Sequence, residues 1–162
     1  MSTEATHEEK LTLTVDINVP GHDERTATPL FVRSRKLLIK REGGRCWICG
    51  RTADEAGPLE AHHYPIERCL ANMIGWKLFR LQCESGMWGE HAKAFDWSTF
   101  DPDDPYTFVD NMEVNGLLLC KAHHTGKDEG IHDLPHPLWV AQKIGKEGYK
   151  FSDVEVIHHA GD

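Results

Sequence analysis

Apolar and polar positions alternate along Leu11-Thr12-Leu13-Thr14-Val15-Asp16-Ile17-Asn18-Val19, the two-residue period of a half-buried strand. Pro20-Gly21-His22-Asp23 ends it in a turn, and the polar residues 1–10 before it are predicted to be disordered. From about Pro29 to Glu42 the rhythm changes. Leu30, Phe31, Leu37, Leu38 and Ile39 recur at the spacing of an amphipathic helix, which Gly43-Gly44 stops. A knuckle at Cys46–Gly50, a short loop ending at Gly57-Pro58 and a strand over Leu59–Tyr64, closed by Pro65, follow. Residues 66–110 are predicted to be helical over Glu67–Phe79 and Gly89–Trp97, with Asp101-Pro102-Asp103-Asp104-Pro105 as a loop. Leu117-Leu118-Leu119 reads as a short buried strand running into Cys120. A helix is predicted to start near Pro137, with Leu138, Trp139, Val140 and Ile144 on its apolar side, and Tyr149–Ile157 to form a last strand. No internal repeat is visible.

The chain has 162 residues, 40% of them hydrophobic, which suits one domain with appended arms. No apolar run approaches the roughly 18–20 residues that span a bilayer. MSTEATHEEK is acidic and polar, without the basic and apolar segments of a signal peptide, so a reducing, cytoplasmic setting is expected. Five cysteines fit badly with a fully paired disulfide framework.

A net charge of −8 argues against a protein that coats nucleic acid by charge alone. The average hides one basic segment: Arg33, Arg35, Lys36, Lys40, Arg41 and Arg45 stand against the single acid Glu42. An isolated run of this kind is most often a solvated helix face. Placed just before a metal motif, it also suits contact with DNA phosphates.

Cys46-Trp47-Ile48-Cys49 brings two thiolates to one point. Cys120 and His123, again two residues apart, complete a Cys3His set of the kind that closes around a structural Zn2+. A thioredoxin-like redox pair is the competing reading of the first motif. It accounts for neither Cys120 nor His123, and no βαβ unit flanks it. Cys69 and Cys83 read as core or free thiols.

Two histidine pairs remain. In Leu59-Glu60-Ala61-His62-His63-Tyr64 strand alternation puts Glu60 and His62 on one face and His63 on the other. Asn115-Gly116-Leu117-Leu118-Leu119-Cys120-Lys121-Ala122-His123-His124 ends in the second pair. Taken singly, each histidine is more often a satisfied structural residue, and Asn115 an ordinary turn residue.

The ordered set CWICG, LEAHHYP and NGLLLCKAHH resembles the HNH endonucleases of the His-Me finger superfamily, over roughly Arg33 to His132. The resemblance implies a ββα-metal core and hydrolysis of DNA phosphodiester bonds. It puts His62 at a metal-ligand position and His63 at the general base. Asn115 falls at the residue that braces the loop and orients the base, and His124 at the closing metal ligand that begins the motif helix. A divalent ion such as Mg2+ or Mn2+ is implied, although imidazoles also suit Ni2+ and Zn2+. The chemistry agrees: a histidine near pKa 6.5 is partly neutral at pH 7 and can accept a proton from water, and a divalent cation polarises the phosphate.

Two departures stand out. His123 replaces the last cysteine usual in that family's zinc site, an exchange within the known ligand sets. The spacer between His63 and Asn115 is also much longer than a compact core needs. Its aromatic residues are expected to pack an extra helical layer, with stacking on bases or a partner as the other reading. Its acids Asp101, Asp103, Asp104 and Asp110 would repel phosphate. A further ligand could come from Asp128, four residues after His124, or from His132 across Gly130; Glu60 could touch the metal or support the strand.

The expected architecture is α+β: an HNH core braced by the zinc site, with a long helical insertion and N- and C-terminal extensions. Residues 1–27 form the first extension, 28–136 the core with its insertion at about 66–110, and 137–162 a C-terminal helix and strand. The alternative function is a catalytically inactive zinc-binding module for DNA or protein interaction.

Overall fold

The structure, a computed structural model, describes residues 18–21 and 26–160. The disorder expected over 1–10 lies outside these residues, as does most of the strand expected over Leu11–Val19; Asn18 and Val19 belong to no strand. The elements are α1 (Pro29–Arg41), α2 (Ala53–Ala56), β1 (Leu59–His63), α3 (Trp76–Glu84), α4 (Glu90–Lys93), α5 (Tyr106–Val109), β2 (Gly116–Cys120), α6 (Lys121–Thr125) and α7 (His136–Ile144), with 3-10 turns at Arg68–Met73 and Trp97–Thr99. Helices around a small two-stranded sheet make the architecture α+β.

Helix α1 begins where its sequence says it should. The Thr28 hydroxyl accepts a hydrogen bond from Phe31 N at 3.1 Å, and Pro29 occupies the first turn, where no amide donor is needed. Lys40 and Arg41 close the helix at its negative end. Gly43 and Gly44 then adopt φ of 62° and 67°, a conformation that glycine alone takes cheaply. The loop expected before Gly57 contains a short helix instead. Thr52 and Glu55 form a reciprocal capping box, a local signal that makes a single turn where chain length allows no more.

Strands β1 and β2 pair antiparallel, with Leu59 opposite Cys120 and His63 opposite Gly116. Every residue of β2 is buried, as its unbroken apolar run requires. Leu38, Ile48, Met112, Leu118, Leu119 and Trp139 form the core around this pair. The indole N–H of Trp139 donates to the His123 carbonyl at 2.8 Å, tying α7 to α6.

The long segment joining the strands builds its own core. Phe79, Trp97 and Phe108 pack edge-on or stacked at centroid separations of 5.1 to 6.1 Å, with Trp76 and Phe100 beside them. Each such pair adds about 0.5–1.5 kcal/mol beyond burial. The aromatics therefore pack, as expected; Trp88 is the most exposed of them at 39%. The helix expected over Glu67–Phe79 breaks at Ile74-Gly75 into a 3-10 turn and α3, because glycine weakens a helix interior. The second expected helix shortens to α4 and a further 3-10 turn.

Two expectations are corrected. Residues Tyr149–Ile157 form no strand, only an isolated bridge between Lys150 and Val156, because the segment turns back on itself, with Ile157 N donating to Tyr149 O at 2.9 Å and Phe151 N to Glu155 O at 3.0 Å. Helix α6 begins at Lys121 rather than at His124, so both histidines of the second pair lie inside it. Among the described residues, no helix is long and apolar enough to cross a membrane.

Candidate metal centre

The antiparallel pair and α6 place two clusters of ligand side chains side by side in sequence. Cys46, Cys49, Cys120 and His123 form the first. All four are buried, and their ligand atoms lie within 4.8 Å of one another. The Trp47 amide donates to the Leu118 carbonyl at 2.8 Å, which pins the knuckle against β2. His123 Nδ1 stands 3.3 Å from Cys120 Sγ and 3.9 Å from Cys46 Sγ. Bonds of 2.0–2.3 Å to a tetrahedral ion separate neighbouring donors by about 3.3–3.8 Å, so this donor set fits a bound metal.

The electrostatics of the cluster favour a cation. Hydrogen bonds with Cys120 and Cys49 drive the Cys46 thiol down from its ordinary pKa. Burial alone would depress the His123 imidazole, yet Cys120, Cys46 and Glu155 together raise it to about 11. Glu155 Oε1 lies 3.2 Å from His123 Nε2, the carboxylate-behind-imidazole arrangement that orients a metal-bound histidine. Burial, with the Glu155 carboxylate next, pushes Glu129 up to about 7. The C-terminal segment closes over this site, and the Ala160 amide donates to the Cys49 carbonyl at 3.1 Å.

The second cluster is imidazole only: His62, His124 and His132, with ligand atoms again within 4.8 Å. His62 projects from β1. His124 follows His123 in α6, where one residue is a rotation of about 100°, so the two adjacent rings serve different clusters. His132 returns on a loop whose backbone bonds run from His132 N to His124 O at 3.3 Å and from Ile131 N to His123 O at 3.0 Å. A Cβ on Gly130 would meet the Gly126 backbone and the His124 carbonyl at 2.8 Å, so only glycine permits this tight return. His124 Nε2 and His132 Nε2 are 3.2 Å apart. Donors on bonds of 2.0–2.1 Å stand about 2.9–3.4 Å apart between octahedral and tetrahedral geometry, so the imidazoles also fit one ion.

Of the two residues that could supply a further ligand, His132 joins the cluster and Asp128 does not. Asp128 is exposed and its amide donates to Asp133. Glu60 takes a supporting position, with Oε2 2.6 Å from His124 Nδ1, the nitrogen remote from His132.

His63 takes the opposite face of β1. Its ring stacks on Phe31 at 5.7 Å, and its buried Nε2 stands 3.4 Å from Asp110 Oδ1 without a hydrogen bond. Asp110 is 2% exposed and so is no surface repellent of phosphate. It accepts from Arg68 Nε at 3.1 Å and from the Thr28 hydroxyl at 3.1 Å. Burial would raise its carboxyl, but His63, Arg68 and Thr28 together hold it below the usual carboxylate range. Asn115, completely buried, staples two loops. Its Oδ1 accepts from Ile66 N, and its amide donates to the Ile66 and Val109 carbonyls, all at 2.9 Å.

The basic segment divides. Arg35, Arg41 and Arg45 donate to the carbonyls of Leu59, Gly116 and Gly50, so these three brace the sheet and the knuckle. Arg33, Lys36 and Lys40 lie on the exposed side of α1.

Sequence reasoning missed Glu67, Glu155 and the buried role of Asp110. Glu67 Oε1 lies 3.1 Å from His62 Nε2. Burial works against its charge, but the His62 hydrogen bond and the nearby imidazoles hold it below the usual range. Only Asp110 left a trace in the sequence, as an acid following the apolar pair Phe108-Val109.

Fold and site together define a small α+β protein with a buried Cys3His cluster compatible with a bound metal ion. Comparison with protein-family models, with curated proteins and with solved structures finds no match to this chain.

Proposed function

We propose that this chain is a metal-dependent DNA endonuclease of the HNH type, with β1, β2 and α6 as its ββα-metal core. One observation carries the reading: His62, His124 and His132, from a strand, a helix and a loop, bring their ligand atoms within 4.8 Å of one another. Zn2+ belongs in the Cys3His set, where it supports folding. A divalent ion at the imidazoles supplies Lewis acidity towards a phosphodiester. Three nitrogen donors suit Mn2+, Ni2+ or Zn2+ better than Mg2+.

The chain's own residues do the rest. Glu60 orients the His124 ring from behind. In this reading His63 is the general base, with Asp110 3.4 Å from its Nε2 and an imidazole nitrogen taking the proton from water. Asn115 holds the loops that carry Ile66 and Val109, and through them the setting of His63 and Asp110. Arg33, Lys36 and Lys40 supply phosphate contacts that position DNA without reading its sequence.

Supercoiled plasmid incubated with the protein and Mn2+, Ni2+ or Mg2+ tests this. Wild type nicks it, and His63→Ala nicks at least a hundredfold more slowly, in the range of lost general-base catalysis. Equal nicking by both, or none under any metal, removes the enzyme. The second reading, a catalytically inactive zinc module that binds DNA or protein, draws on the placement of His63, whose ring packs on Phe31 rather than among the three imidazoles.

A further inference from the structure

Two carboxylates reach the imidazole cluster, and they approach it differently. Glu60 sits on His124 Nδ1 at 2.6 Å, while the other nitrogen of the same ring faces His132 Nε2 at 3.2 Å. Glu60 therefore stands behind a ligand ring. Glu67 instead stands 3.1 Å from His62 Nε2, the outer nitrogen of a ring rooted in β1. That separation matches the edge expected between two donors on one ion, about 2.9–3.4 Å for bonds of 2.0–2.1 Å; the carboxylate stands just outside the group of mutually close donors that the three imidazoles form, so a turn of its side chain is needed to join them. Glu67 is also placed to move: its side chain is 41% exposed, and it precedes the 3-10 turn Arg68–Met73 rather than lying inside an element.

We propose that Glu67 is the fourth protein ligand of the imidazole site, which makes the set His62, His124, His132 and Glu67. This deepens the reading of the imidazoles as a metal site and rests on it. Three imidazoles and one carboxylate select a transition-metal ion over Mg2+. They leave two positions for oxygen ligands on a six-coordinate ion. The carboxylate also cancels one of the ion's two charges, which lowers the desolvation cost of holding it beside the buried His62 ring.

The test uses the full chain with its Cys3His site filled by zinc, titrated with Co2+ and read by visible absorption. Cobalt among nitrogen and oxygen donors gives ligand-field bands without thiolate charge transfer, so the two sites stay distinguishable. Wild type is expected to bind one Co2+ per chain. Glu67→Gln weakens that binding by about a hundredfold or more and changes the shape of the bands. Glu60→Gln weakens it by roughly 10–100-fold, as loss of an outer partner does, and leaves the shape alone. Glu67→Ala repeats the measurement without an amide in the carboxylate's place, with zinc content and circular dichroism reporting the fold.

Affinity within threefold of wild type in both Glu67 variants overturns the assignment. So does weaker binding with unchanged bands, which makes Glu67 an outer partner like Glu60. A wild-type chain that takes up no Co2+ beyond its zinc removes the imidazole site itself, and Glu67 with it.

Discussion

The two clusters are built from neighbouring residues yet differ in nearly every physical respect. His123 belongs to one and His124 to the other. The first has three thiols and one imidazole, all buried, with Glu155 behind the histidine. The second has three imidazoles, one of them exposed, with carboxylates that are themselves about 40% exposed. A closed, sulfur-rich set holds a fold; an open, nitrogen-rich one leaves room for exchange with solvent and substrate. A single turn of helix directly after a buried strand is enough to separate the two sets of side chains, because consecutive helical residues point in different directions.

The largest expected effect is on the first cluster. Cys46→Ala removes one of its four ligands, and the metal's contribution to folding goes with it. The variant should lose its zinc and melt more than about 10 °C below wild type, a loss of several kcal/mol at roughly 2–4 °C per kcal/mol. A Cys46→Ala protein with native melting would contradict the contrast at its root.

Asp110→Asn comes next and probes the side of β1 away from the imidazoles. Breaking a buried ion pair by removing one partner costs about 3–5 kcal/mol, and here the buried carboxylate faces Arg68, the Thr28 hydroxyl and His63. The native carboxyl is held below its ordinary pKa, so its contribution is fully present above the unfolded value near 4 and is lost as pH falls through the lower folded value. Denaturant unfolding should show the gap between wild type and Asp110→Asn at pH 7 closing below about pH 4. A gap independent of pH would mean that the carboxylate's charge is not what stabilises the fold.

His124→Ala should separate stability from function. It is expected to keep its zinc and to unfold within about 2 kcal/mol of wild type, since it removes no ligand from the first cluster. It should nonetheless abolish binding of a second metal and with it plasmid nicking. Loss of zinc from this variant, measured by metal analysis, would show that the clusters are not separable.

The smallest effect concerns the outer face of α1. Lys36→Ala with Lys40→Ala should shift stability by no more than about 0.5 kcal/mol. Each lost phosphate contact flattens the dependence of log affinity on log salt by about one. Anisotropy of a labelled duplex over a salt series reads this directly, and an unchanged slope takes the lysines out of the DNA contact.

Much of this organisation was legible in the chain. Thr28-Pro29 and Gly43-Gly44 bracket α1 because a cap, a helix-starting proline and a left-handed stop are local chemistry. Strand alternation put His62 and His63 on opposite faces, and matched two-residue spacers gathered Cys46, Cys49, Cys120 and His123. The spacers did not show that Arg35, Arg41 and Arg45 are engaged by backbone carbonyls, nor that Tyr149–Ile157 turns back on itself instead of running as a strand. Both depend on what lies nearby in space, which no local pattern carries.

The sequence alone determined the ligand types, their pairing by spacing and the elements that present them, since these follow from covalent distance and helix or strand period. Tertiary structure decided that His132 rather than Asp128 comes back to His124, that Asp110 is buried against Arg68 and beside His63, and that Glu67 reaches His62. Each of those choices joins residues through a loop return or across a packed interface. Their geometry is set by the whole fold's packing, and the chain on either side of each contact gives no sign of it.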